Sequence, residues 1–168
     1  MDKSRGLDFT EGEFPMITSR YFGYLALLTA ASIIAGCAGP PIGRTQPGPA
    51  DANVAAEYST TQSGLQYRIL RQSQGRRPAA TDNVTVYYKG SLDNGQIFDS
   101  SYQRGKTATF RLNEVVAGWT EGLQLVGEGG MIELRIPPEL GYGAKGKPPV
   151  IPGGSSLNFI VELEKIEG

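Results

Sequence analysis

NVTVYYKGSLDNGQIFDS, residues 83–100, sets the reading of the whole chain. Val84, Val86 and Tyr88 recur at every second position, which puts their side chains on one face of an extended strand. Asp93-Asn94-Gly95 then supplies the residues that reverse a chain tightly, so a hairpin or short loop is expected before Ile97 and Phe98. The same period of two appears on either side. Upstream, LQYRILR (65–71) alternates Leu65, Tyr67 and Ile69. Downstream, MIELRIPPEL (131–140) sets Ile132, Leu134 and Ile136 against Glu133 and Arg135, and SLNFIVELEKI (156–166) alternates Leu157, Phe159, Val161 and Leu163. These are half-buried antiparallel strands. The period changes once: Asn113 to Leu125 spaces Val116, Trp119 and Leu123 by three and four, a helical stripe with Asn113 at its expected cap. One short helix on one sheet is an α+β arrangement.

Composition excludes several chemistries. The 168 residues contain no histidine and one cysteine, Cys37. Without histidine the commonest general base and the commonest metal ligand are gone, and a lone cysteine can form neither an internal disulfide nor a thiolate metal site. No metal and no cofactor is expected. The formal net charge is −1, and the charges balance from Ala38 onward, so nothing marks a nucleic-acid surface.

The first third of the chain is read as an address. YFGYLALLTAASIIA (21–35) is uncharged and mostly apolar, follows Arg20, and ends at small residues before Cys37. That is the anatomy of an export signal, and an apolar stretch of 15 residues suits one better than a membrane-spanning helix. Ile34-Ala35-Gly36-Cys37 resembles the bacterial lipobox, in which the cysteine is lipidated and becomes the mature N-terminus. Four acidic residues precede Arg20, the wrong charge for the start of a signal, whereas MITSR from Met16 is positive and free of acids. Met16 is therefore the expected start. The expected organisation is a signal peptide over 1–36, a lipidated cysteine and flexible spacer over 37–56, and one folded domain over 57–168. Lipid would tether the domain at the cell envelope without spanning it. Ala38 after the cysteine lacks the aspartate associated with inner-membrane retention, which favours the periplasmic face of the outer membrane.

Three stretches, VYYKGSLDNGQIFDSSY (86–102), EVVAGWTEGLQLVGEGG (114–130) and IPPELGYGAKGKPPVIPGGSSLNFIVELEKI (136–166), resemble the FKBP-type peptidyl-prolyl cis-trans isomerases in content, order and spacing. GLQYRIL (64–70) is similar to the lead-in of exported bacterial members of the macrophage-infectivity-potentiator type. The resemblance implies a curved antiparallel sheet wrapped around one short helix, with an apolar pocket between them. It also implies a rotamase that assists folding of exported proteins, with proline-containing polypeptides and tacrolimus- or rapamycin-type macrolides as ligands.

Position by position, the resemblance makes Phe98, Asp99, Trp119, Tyr142 and Phe159 the catalytic set, with Trp119 as floor. It makes Tyr88, Val115, Val116 and Ile151 substrate contacts, Val116 and Ile151 through their backbone amides, and Arg104 the partner that orients Asp99. Taken singly, these residue types are ordinary core or turn residues. Their joint order carries the inference. Tyr87 and Lys147 stand where members often have histidine, Val150 where isoleucine is usual, and Ala108 at a position often aromatic in the pocket wall. A tethered chaperone with little or no isomerase activity would use the same groove, and a purely structural lipoprotein would keep the fold without the Asp99, Trp119 and Tyr142 set.

Overall fold

The computed structural model describes residues 43–168; the export signal, Met16 and Cys37 lie outside the described residues. Among these residues seven strands form one sheet: β1 (Ser59–Thr60), β2 (Gln66–Arg71), β3 (Asn83–Leu92), β4 (Ile97–Ser100), β5 (Ala108–Arg111), β6 (Met131–Ile136) and β7 (Leu157–Glu167). Among the described residues there is one α-helix, α1 (Ala117–Leu123), between β5 and β6 in sequence. The strand order is β1-β2-β6-β7-β3-β4 with β5 also on β3, and every pairing is antiparallel. The longest ladder joins β3 to β7, from Asn83 opposite Glu167 to Leu92 opposite Leu157. Along the other edge of β3, β5 takes the first half, with Val86 opposite Ala108, and β4 the second, with Gly90 opposite Asp99. The connection over 101–107 therefore leaves the sheet level with Tyr87 and Tyr88.

Register shifts at Leu70 of β2, at Glu164 of β7 opposite Thr85 and Val86, and at Phe98 of β4 opposite Gly90 and Ser91 bend the sheet. α1 lies against its inner face. Val84, Val86, Ile132, Leu134, Ile136, Leu157, Val161 and Leu163, the alternating positions of the strands, are fully buried there with Leu65, Leu112 and Leu123. Two glycines one helical turn apart let α1 approach: a Cβ on Gly118 would stand 2.6 Å from Ile136, and one on Gly122 2.6 Å from Leu134.

Two expectations change. Asn113 does not cap the helix; it lies in a 3-10 turn, Leu112–Glu114, and α1 begins only after Val115 and Val116 in extended conformation. The break turns both valines out of the helix, and seven residues without a side-chain cap hold their shape by packing on β6. The described part of the expected spacer is also attached to the domain. Arg44 reaches Glu162 and Glu164 at 2.8 Å, the Gly48 N–H donates to Glu162, and Asp51 pairs with Leu70 and Gln72 through backbone and side chain. Its Pro and Gly content precludes regular structure but leaves peptide groups free to bond across to the sheet.

Candidate functional site

Between α1 and the inner face of the sheet lies a cavity of about 530 Å³, within the range that holds small ligands. Trp119, from the first turn of α1, is only 4% exposed and forms its floor. Three rings meet the indole edge-to-face, with centroids 5.3 Å (Tyr88), 5.5 Å (Phe110) and 5.2 Å (Phe159) away. Phe98 stands against Phe159 at 5.5 Å in the same manner. Such pairs contribute about 0.5–1.5 kcal/mol each beyond the area they bury, so the ring orientations are set before any ligand arrives. Gly90 makes the Phe98–Phe159 contact feasible. A Cβ there would lie 2.6 Å from Phe159 and 2.7 Å from Phe98.

The polar side of the cavity is a triangle. The Tyr88 hydroxyl donates to Asp99 Oδ2 at 2.5 Å, Arg104 donates to Asp99 Oδ1 at 2.5 Å, and the other Arg104 nitrogen donates to the Tyr88 oxygen at 2.9 Å. Partial burial works to raise the Asp99 pKa, but the bonds from Tyr88 and Arg104 outweigh it and hold the carboxyl below its ordinary value. Burial first, then the bond to Asp99, pushes the Tyr88 hydroxyl up to about 12. At neutral pH the site thus holds a fixed carboxylate, a neutral phenol and a guanidinium.

Val115 and Val116, freed by the break before α1, line the cavity, and the Val116 N–H meets no acceptor among the described residues. Tyr142 lines it from the loop after β6, its hydroxyl likewise without a partner among the described residues. That loop is pinned by Gly146, whose φ of 62° and close approach to the Ile151 carbonyl leave no room for a side chain. The Trp119 indole N–H is buried and unpaired among the described residues. A donor in that state costs about 1–3 kcal/mol.

Of the residues singled out in the sequence, Tyr88, Phe98, Asp99, Val115, Val116, Trp119, Tyr142 and Phe159 surround this one cavity, and Arg104 holds Asp99 from outside the lining. Ile151 is the correction. It is buried outside the lining, and its N–H already donates to the Lys147 carbonyl at 3.0 Å while its own carbonyl accepts from Lys147, so its amide is not free for a ligand. Phe110 and the exposed pair Glu114 and Lys147 also line the cavity and were not singled out for it. Ala108 and Phe110 share a face of β5, so an aromatic wall is supplied two residues beyond the alanine. The alternation in ATFR was the available signal. Among the described residues no acidic or thiol cluster could hold a metal, and no helix is long and apolar enough to cross a membrane.

Residues 74–164 match the family model of the FKBP-type peptidyl-prolyl cis-trans isomerases. A probable FKBP-type peptidyl-prolyl cis-trans isomerase of Haemophilus influenzae is 50% identical over 107 residues, covering 64% of this chain and 44% of the relative. The peptidyl-prolyl cis-trans isomerase Mip of Coxiella burnetii is 45% identical over 108 residues, covering 64% and 47%. Among solved structures, that of FkpA from Escherichia coli superposes with a TM-score of 0.65 at 45% identity, covering 67% of this chain and 53% of that one. The matched region thus accounts for only about half the length of these relatives.

Proposed function

The chain belongs to the family of FKBP-type peptidyl-prolyl cis-trans isomerases, and from that premise we propose that its cavity accelerates rotation about X-Pro bonds in exported polypeptides and so assists their folding. The observation that carries this is the aromatic box of Tyr88, Phe98, Trp119 and Phe159, closed on one side by a carboxylate fixed in place.

Rotation about a peptide C–N bond meets a barrier of roughly 18–20 kcal/mol, because resonance is lost when the amide is perpendicular. No bond is made or cut, so neither proton transfer nor a cofactor is required. The planar amide is more charge-separated than the twisted one, and an environment that strips its water disfavours the ground state relative to the transition state. Phe98, Trp119 and Phe159 take the proline ring. The free Val116 N–H and the Tyr142 hydroxyl donate to substrate carbonyls on either side, holding the turn-like shape in which the bond rotates. Asp99, ordered by Tyr88 and Arg104, sets the polar edge against which the twisting carbonyl moves. The same surface accepts tacrolimus- or rapamycin-type macrolides.

The test is NMR exchange of cis and trans Ala-Leu-Pro-Phe with the full chain, beside Asp99→Val and Tyr142→Phe. Acceleration that falls in both variants supports the reading. A folded chain without acceleration refutes it and leaves a peptide-binding chaperone in its place.

The chain is proposed to work from a lipid anchor on Cys37 at the cell envelope, on the periplasmic face of the outer membrane. The support is the apolar run and Ile34-Ala35-Gly36-Cys37. Labelled palmitate should enter the protein in a bacterial host and be lost in Cys37→Ala; label retained in that variant refutes the anchor.

A further inference from the structure

Glu162, in the middle of β7, belongs to the outer face of the sheet and should meet water there, yet its side chain is fully buried. Tyr87, opposite it on β3, is also buried. What covers them is residues 44–48 together with Arg71 and Tyr102. The carboxylate accepts from the Gly48 N–H at 2.9 Å, Arg44 at 2.8 Å, Arg71 at 2.7 Å and the Tyr102 hydroxyl at 2.5 Å. Arg44 also stands over the Tyr87 ring, whose other neighbour is Tyr102, stacked at 5.2 Å. Immediately before Arg44, the backbone of Gly43 runs so close to the Gly105 carbonyl that a Cβ would collide with it.

Tyr102 and Gly105 lie on the connection between β4 and β5, and Arg104 lies between them. The leading segment therefore meets that connection directly at Gly105 and, through the Glu162 carboxylate that it shares with the Tyr102 hydroxyl, indirectly at Tyr102, on either side of the residue whose guanidinium holds Asp99 and Tyr88 in the cavity. We infer that residues 43–51 form a positioning strap: docked on Glu162 and Gly105, they fix the 102–105 turn and thereby the orientation of Arg104 toward Asp99. Arg44 is then a positioning residue, on the opposite face of the sheet from the reacting bond. The strap lies outside the stretch that matches the family model, residues 74–164. This rests on the isomerase reading for its effect on rate, but not for the docking itself.

The competing view is that Ser101 anchors the turn unaided, since its N–H donates to the Tyr88 carbonyl at 2.9 Å and its hydroxyl accepts from the Tyr88 N–H at 2.8 Å. The full chain separates the two views. Arg44→Ala removes one arm of the strap from a half-exposed side chain and leaves the core intact; Gly43→Val presses the strap off Gly105 with every charge kept. Each should lower kcat/KM about three- to tenfold and shift the backbone amide signals of Arg104 and Gly105, with the Trp119 indole signal little moved. Arg44→Lys should restore most of the rate. In an Arg104→Ala background, Arg44→Ala should add little further loss. Parent-like rates and parent-like Arg104 and Gly105 signals in both variants overturn the strap, as does a rate loss that persists undiminished in the Arg104→Ala background. If the parent chain does not accelerate rotation, the isomerase reading fails by itself, and the two amide signals still decide whether the strap positions the turn.

Discussion

Asp99 shows how one residue takes its character from its neighbours. Between Phe98 and Ser100 it would by default be a solvated turn carboxylate; in the fold it is fastened at both oxygens, by Tyr88 and by Arg104. The pair with Arg104 is more than a third exposed on each side, so its value lies in geometry more than in stability. Because Asp99 ionises below its ordinary 3.8 and Tyr88 only near about 12, neither titrates around neutrality. The rotation rate should accordingly stay flat from about pH 5 to 9; a bell within that window would mean that some other group governs the site. Asp99→Asn keeps the shape and removes the charge, and the expected result is a several-fold slower rotation with a melting temperature only slightly lowered at neutral pH. If the cavity binds macrolides as proposed, Gly90→Ala is expected to act the other way round on the site's apolar side: the added methyl forces Phe98 and Phe159 apart and lowers macrolide affinity more than it lowers stability. Trp119 is the sole tryptophan of the chain, so its fluorescence reports binding without interference. Emission that does not change on titration with a macrolide would count against the proposed binding over the Trp119 floor.

At the scale of elements, α1 is too short to stand alone. Seven residues with two glycines and no side-chain cap have poor intrinsic helicity, and tertiary contact with β6 maintains the helix. The glycines that weaken it locally are the ones that bring it near enough to Leu134 and Ile136 to seat Trp119 at the cavity floor. Gly118→Val or Gly122→Val should destabilise the protein by about 1–3 kcal/mol through overpacking, measured by urea unfolding, and should lift Trp119 toward solvent, seen as a red shift of its emission. A variant as stable as the parent would show that the helix can shift outward freely. The sequence pattern identified the helix but ran it from Asn113 to Leu125, since Val116 at helical spacing from Trp119 fits either a helical residue or, as found, the residue just before the helix. Spacing alone does not separate the two, and the break is what points Val115 and Val116 into the cavity.

Across the whole molecule, one carboxylate joins four separate parts of the chain. Glu162 receives the strap through Arg44 and Gly48, β2 through Arg71, and the β4–β5 connection through Tyr102. Burial works to raise its pKa, but these donors prevail and hold it below its ordinary 4.5. A depressed carboxyl contributes stability that is fully present above the unfolded value and is lost as pH falls through the lower folded value. The melting temperature should therefore fall on acidification below about pH 4.5, and the fall should be shallower in Glu162→Gln, which should also melt lower than the parent at neutral pH. Asp99 and Asp82 are depressed in the same sense, so the acid limb is expected to flatten without vanishing. An acid limb as steep in Glu162→Gln as in the parent would remove Glu162 from the account.

Alternation in residues 84–88, 132–136 and 157–163 is a property of neighbours two apart, and each of those positions is buried as the period requires. The order of the family motifs likewise named most of the cavity wall, because a wall made from consecutive strands and one helix keeps its residues in local runs. The rest depended on distant partners. Phe110 entered the cavity because β5 pairs with β3, Ile151 left it because its amide is taken by Lys147, and residues 43–51 became part of the domain because Glu162 lies beneath them. A Pro- and Gly-rich stretch has no period of its own, and the carboxylate that binds it is more than a hundred residues away. The sequence by itself determined the strands, the helix and the aromatic set, since local patterning dictates them; only the tertiary structure decided which backbone amides stay free and where the leading segment docks, since those depend on which distant donor reaches a buried acceptor.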